Sequence, residues 1–221
     1  MQRKVPLVSG ECYHVFTRSI SKLVVFSADY EYRRMLNLFK FYQVKDATSR
    51  FSLLEKNPFP DQKCVDRLLF GKNQEKLVDV LAYCLMPTHI HLVLKQLVDN
   101  GISVFVGNVL NSYTRYFNLR HERRGPLWEG KFKNVLVKTD EQLSHLVRYV
   151  HLNPAVAGIV KDPEEWAYSS YRDYLEGGKN IQTISSFDKV LEVDSKNYRR
   201  FVMDQLSYQK ELAVIKSLLL D

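Results

Sequence analysis

Apolar positions along the chain follow two rhythms, one that suits strands and one that suits helices. Two short β-like runs open the sequence, around Tyr13 to Arg18 and Leu23 to Phe26, separated by the polar SISK. Asp29 to Tyr42 predicts a helix, with Tyr32, Met35, Leu36 and Phe39 at helical spacing. From 43 to 76 the signals are mixed, and the turn-rich NPFPD marks a peripheral excursion. Leu77 to Leu85 reads as a buried strand, Met86 to Thr88 as a tight connection, and His89 to Gln96 as a second strand antiparallel to the first. Asp99 or Asn100 is placed to cap a long helix whose stripe is Ile102, Val106, Val109, Tyr113 and Phe117, ended by RHERRG. A strand at Asn134 to Lys138 follows. Thr139 and Gln142 then form the capping box of a helix expected to end at Asn153, where Pro154 stops it. Past Glu176 the GGKN tetrapeptide reads as a linker, and Asn197 to Leu219 as one long amphipathic helix. The order predicts an α+β fold, helices packed on an antiparallel sheet. Residues 1–175 would form the main domain, with the insertion near 43–76 peripheral to it, and 176–221 a C-terminal helical extension.

Composition adds a partner class. At 221 residues the chain is long enough for a sizeable core, and 45% hydrophobic with 26% charged residues is ordinary for a globular protein. Lys and Arg outnumber Asp and Glu by 32 to 25. The resulting +7 suits a polyanion, although many basic proteins touch no nucleic acid. Cys12, Cys64 and Cys84 form no CxxC pair, and an odd count argues against a disulfide framework. No apolar run is long enough for a signal peptide or a membrane span, so a cytoplasmic protein with no membrane partner is expected.

Candidate chemistry begins at His89-Ile90-His91. On a strand, His89, His91, Val93 and Lys95 share one face, while Ile90, Leu92 and Leu94 form the obvious core face. Two neutral imidazoles at i and i+2 can reach one metal ion. By itself such a pair more often serves as two surface or hydrogen-bonded histidines. On the capped helix, Gln142, His145, Tyr149 and Asn153 fall within about 40° of a common line. The apolar stripe of Leu143, Leu146, Val147 and Val150 lies roughly a quarter-turn away. Tyr149 thus flanks the core, where a tyrosine commonly packs its ring and exposes its hydroxyl without any catalytic role.

A family resemblance joins these pieces. LAYCLMPTHIHLVLKQ (Leu81 to Gln96) resembles the metal-site hairpin of the HUH-superfamily single-tyrosine transposases, the insertion-sequence-200-like enzymes and the REP-associated tyrosine transposases among them. RYVHLNPAVAGIV (Arg148 to Val160) resembles the helix that bears their nucleophile, and WAYSSYRDYL (Trp166 to Leu175) the segment after it. YHVFTRS near the start and SYTRYFNLRHERRGPLWEGKFK (Ser112 to Lys133) also fit, in the family's order, over most of Tyr13 to Leu175. Thr88 stands where this hairpin usually carries Asn, and Ala155 where Val is common.

The resemblance implies a ferredoxin-like HUH core. It also implies a divalent cation held by His89, His91 and Asn153, with Tyr149 as nucleophile; Mg²⁺ or Mn²⁺ fits two imidazoles and an amide oxygen, and Zn²⁺ would suit imidazole too. The activity implied is cleavage and rejoining of single-stranded or hairpin DNA through a 5′-phosphotyrosine. Arg115, Arg120, Arg123, Arg124, Lys131 and Lys133 cluster around aromatic residues and are candidates for DNA contact, with a merely solvated helix end as the alternative. Tyr113 and Phe117 lie on the apolar stripe and are expected in the core. Two other functions remain open at this point, a relative that binds DNA without cutting it and a phosphodiesterase that activates water at the histidines. Family members occur as monomers or homodimers, and both states are open here.

Overall fold

Four strands form one antiparallel sheet in the order β2-β3-β1-β4, where β1 is Cys12–Arg18, β2 Val78–Met86, β3 His89–Gln96 and β4 Lys133–Val137. The computed structural model describes residues 6–45, 51, 75–177, 183–186, 190 and 195–218. Helix α1 (Asp29–Tyr42) links β1 to β2 and α2 (Gly101–Arg120) links β3 to β4, so the chain runs β-α-β-β-α-β. That is the ferredoxin-like arrangement, and it bears out the α+β expectation. Helix α3 (Asp140–Val156) follows β4.

The sheet is covered on both faces. Tyr13, Val15, Ile90, Leu92 and Leu94 are buried with residues of α1 and α2, among them Met35, Phe39, Phe105 and Val109. On the other face Ala82, Cys84, Met86 and Val93 are buried against Val147 and Val150 of α3. The sequence puts His89 and His91 opposite the obvious core face, on a non-core or cleft face; in the structure that face also holds a second core. The cause lies in β2, VDVLAYCLM, whose nine residues are all buried and need cover on both sides. A register shift between Val80 and Ala82 gives Leu81 the extra place, so that Cys84 and Met86 turn toward α3. Burying side chains such as Val147 and Val150 stabilises α3 on the sheet by about 1.5–3 kcal/mol each.

Several local expectations are corrected. Leu23 to Phe26 forms no strand. Ile20–Lys22 makes a 3-10 turn with Ser21 and Lys22 at positive φ, and the amides of Val25 and Phe26 both donate to the carbonyl of Pro87, at 2.8 and 3.2 Å. One carbonyl taking two donors leaves no ladder to build. Asn100 precedes α2 in a left-handed conformation and makes no side-chain cap. Gln96 does this work, its Oε1 accepting from the Ile102 amide at 3.2 Å. Gly101 opens the helix because a Cβ there would sit 2.3 Å from the carbonyl oxygen of Leu77.

Helix α3 does not stop at Asn153. Pro154 lies inside it, and the helix closes beyond with the Ala157 amide on Asn153 O at 2.9 Å. A proline this near the C-terminus deletes only the bond to Val150 O, while Leu152, Pro154 and Ala155 gain burial. The expected single C-terminal helix is two, α5 (Ser195–Met203) and α6 (Leu206–Leu218), preceded by the short α4 (Tyr171–Leu175). The stripe divides because α5 turns Tyr198 and Val202 into the core beneath α3, whereas no described side chain of α6 is fully buried. Most of the 43–76 excursion, Gly178 to Asn180 of the GGKN segment, and Cys64 lie outside the described residues. Cys12 and Cys84 are free thiols. Among the described residues no helix is long and apolar enough to cross a membrane.

Candidate active site

The pleat of β3 turns His89 and His91 toward α3. On one side their direct neighbours are Met86 and Cys84 of β2, and on the other Arg18 and Phe16 of β1. Each ring is held at Nδ1. The Nδ1 of His89 lies 3.1 Å from Thr88 Oγ1, and that of His91 lies 3.0 Å from Nε2 of His14 on β1. The His14 and His91 rings stack at 16°, centroids 5.3 Å apart. Burial pushes His14 and His89 down to about 4, the Arg18 cation adding to the effect on His89. His91, only 7% exposed, is held well below its ordinary value by burial first and then by His89, His14 and Arg18. All three imidazoles are therefore neutral at pH 7, with one lone pair each to offer.

Tyr149 reaches this group from α3. The helix begins where Thr139 Oγ1 accepts the Gln142 amide at 3.1 Å, the cap expected from the sequence, with Asp140 and Glu141 favourable in its first turn. Leu143, Val147 and Val150 face the sheet, which sets Tyr149 at the margin, 37% exposed. Its ring stands edge-on to His91, centroids 5.8 Å apart at 88°, and to His14 at 6.2 Å and 79°. Burial raises the pKa of the phenol, and the opposing effects of an Asn153 hydrogen bond and the Arg18 charge do not cancel it. Asn153 Nδ2 also donates to Tyr149 O at 2.9 Å, so the nitrogen of this amide, not its Oδ1, is engaged with the helix. His145 is exposed one turn earlier.

The donors suit a small divalent cation. With both Nδ1 atoms engaged, the Nε2 edges of His89 and His91 are the ones left to coordinate. Two imidazoles sharing an ion, each nitrogen about 2.0–2.1 Å from it, place their ring centres roughly 4.5–6 Å apart. Here the centres are 5.1 Å apart with planes at 84°. Among the described residues no group of three or more His, Cys, Asp or Glu could hold an ion. Two imidazoles and an amide oxygen would leave coordination positions for phosphate oxygen and water.

His14 and Arg18 did not emerge from the sequence. The alternation of CYHVFTR does put His14, Phe16 and Arg18 on one face, but nothing local says that β1 lies beside β3. Of the basic residues, Arg115, Arg120, Arg124, Lys131 and Lys133 are exposed. Lys133 pairs with Phe16, itself opposite His91, so it shares the histidine face. Arg120 lies over the ring of Tyr30 at 4.3 Å. Arg123 has a local structural task, donating to Asn118 Oδ1 at 3.0 Å and Pro126 O at 2.7 Å to pin the loop after α2. Tyr113 and Phe117 are core residues, as expected. An open groove of about 710 Å³ runs past Gly107, Asn111, Trp128, Lys131 and Phe132, and the histidines do not line it.

Known proteins are similar to this chain. Residues 23–153 match the family described as Transposase IS200 like. A protein of Haemophilus influenzae named as a REP-associated tyrosine transposase is 27% identical over 104 residues, 42% of this chain and 58% of that relative. The similarity thus spans little more than half the relative's length. A solved structure of a REP-associated tyrosine transposase, described as bound to a REP hairpin, is similar with a TM-score of 0.50 at 14% identity. It covers 88% of this chain and 98% of its own, and at that identity the likeness concerns the fold. The family match takes in more than half of the sequence, including His89, His91, Tyr149 and Asn153, and the chain belongs to the IS200-like transposase family.

Proposed function

We propose that the protein cleaves and rejoins single-stranded, hairpin-forming DNA, with Tyr149 as nucleophile and a Mg²⁺ or Mn²⁺ ion held by His89, His91 and Asn153. The observation that carries this reading is the placement of Tyr149 edge-on to His91, 5.8 Å between ring centres, at the open margin of a neutral histidine pair. Family membership supports the reaction class, and the REP-associated relatives support the DNA substrate.

Tyr149 Oη attacks the phosphorus and forms a P–O bond, while the bond to the 3′ oxygen breaks. The phenol proton leaves to water, and the departing 3′ oxygen gains a proton to become a hydroxyl. A 5′-phosphotyrosine results. A second 3′-hydroxyl can attack it, restoring Tyr149 and joining the strands. The cation, when bound, polarises the scissile phosphate and offsets charge in the transition state. Because burial raises the Tyr149 pKa, the phenol relies on neighbouring positive charge to ionise, and Arg18 supplies some of it. Arg18 lies directly opposite His89 across the β1–β3 pairing, where its charge would attract a phosphate bound beside that histidine. Arg115, Arg120, Arg124, Lys131 and Lys133 contact backbone phosphates, and Arg123 holds the loop between them.

The test separates binding from cutting. Tyr149→Phe removes one hydroxyl, so it should bind a labelled hairpin oligonucleotide as wild type does and cleave none of it. Cleavage surviving in the variant would assign the reaction to activated water. Tight binding by wild type with no cleavage across a palindrome library would make the protein a DNA-binding relative that does not cut.

A further inference from the structure

We propose that His14 is a positioning residue whose Nε2 accepts the Nδ1–H of His91, so that His91 keeps its proton on Nδ1 and turns the Nε2 lone pair toward the site. The cation-binding consequence rests on the function proposed above; the tautomer does not.

His14 sits on β1, paired with Val93, one pleat along from the Phe16 that opposes His91. The two rings nearly stack, at 16°, and 3.0 Å separates Nε2 of His14 from Nδ1 of His91. One proton fits between those nitrogens, so two arrangements exist. If His14 donated, His91 would carry its proton on Nε2 and direct an N–H at the site. If His91 donates, a lone pair faces the site instead. Arg18, opposite His89 on β1, favours the second arrangement, since a guanidinium repels an N–H dipole and attracts a lone pair. At His89 the Thr88 hydroxyl lies against Nδ1, at 3.1 Å. Fixing a ligand's tautomer through its far nitrogen is a common device in metal sites. His14 also packs against Phe16 and lies edge-on to Tyr149, so its own ring has little freedom to turn.

The experiment reads the His91 side-chain nitrogens by ¹⁵N NMR in metal-free protein, for wild type, His14→Ala and His14→Gln. Wild type should show the proton on Nδ1. His14→Ala should shift His91 to the Nε2–H form, and His14→Gln, whose amide oxygen can accept the same proton, should restore much of the wild-type signal. Mn²⁺ affinity, followed by paramagnetic resonance, should fall roughly 10–100-fold in His14→Ala and recover in His14→Gln. An Nε2–H form in wild type, or an unchanged tautomer in His14→Ala, would overturn the proposal. Mn²⁺ binding that ignores His89→Ala and His91→Ala would refute the cation site alone, leaving the tautomer to decide the role of His14.

Discussion

The hydroxyl of Tyr198 lies 2.6 Å from Nδ1 of His151, and this contact ties the C-terminal helix α5 to the helix that carries Tyr149. The other ring nitrogen of His151 lies 2.7 Å from Ser170 Oγ, which in turn donates to Tyr83 O on β2 at 3.3 Å. One chain of contacts thus runs from Tyr198 through His151 and Ser170 to the sheet, the tautomer of His151 setting which partner donates at each ring nitrogen. His151 is fully buried two residues after Tyr149, so the chain fixes the inner side of α3 while Tyr149 faces the opposite margin. Arg148 adds to the clamp by lying over the ring of Phe201 at 4.4 Å.

Removing the Tyr198 hydroxyl should therefore cost stability. Tyr198→Phe leaves a buried imidazole nitrogen unpaired, a loss of about 1–3 kcal/mol. Urea unfolding should show a midpoint lowered to match, with the slope unchanged. A midpoint equal to wild type would mean that the bond contributes nothing net.

Stability should also fall as the pH drops below about 6.5. Burial lowers His14 and His89 to about 4 and His151 to about 3. Above pH 6.5 these groups are neutral in both states and contribute no slope. Below it the unfolded chain takes up protons that the folded chain refuses, so stability declines until the folded values are reached. Glu31 acts in the same direction but later. Burial pushes its carboxyl up, yet bonds from Ser27, His121 and Ala28 outweigh this and hold it below its ordinary value. A decline beginning above pH 5 separates the imidazoles from such carboxylates. Thermal unfolding between pH 8 and 4 measures it, and a flat profile from 7 to 5 would contradict the buried neutral histidines.

Arg18 is exposed yet faces the histidines across the β1–β3 pairing. Arg18→Ala should slow strand cleavage by roughly tenfold or more, as loss of a charge aimed at the transition state does, with little change in melting temperature. Single-turnover cleavage at saturating DNA is the measurement, and an unchanged rate would remove Arg18 from the site.

Lys133 shares the histidine face through its pairing with Phe16. Lys133→Ala should weaken hairpin binding at low salt and reduce the slope of log affinity against log salt by about 1, as loss of a single phosphate contact requires. Binding isotherms at several salt concentrations test this, and an unaltered slope would place the DNA elsewhere.

Local patterns in the sequence carried much of this. The alternation at His89 and His91, the Thr139 cap and the position of Tyr149 beside its stripe are properties of neighbouring residues, and each is found in the structure. What escaped were relations across the chain. His14 and Arg18 join the histidines only because β1 sits between β3 and β4, which no local period reveals. The second core under α3 follows from a bulge at Leu81 and the apolar length of β2. Pro154 does not end the helix, because its cost depends on how near the helix end lies and on what the residues around it bury. Arg123 reads as one more surface cation until the loop it pins is seen.

The most direct test of the central claim is recovery of a covalent protein–DNA adduct. Labelled single-stranded hairpin DNA is incubated with the protein and Mg²⁺ or Mn²⁺, denatured and digested, and the DNA-bearing peptide is identified by mass spectrometry. The account predicts a metal-dependent adduct in which the 5′ phosphate is bonded to Tyr149. Cleaved DNA with no adduct, or an adduct on any other residue, would contradict it.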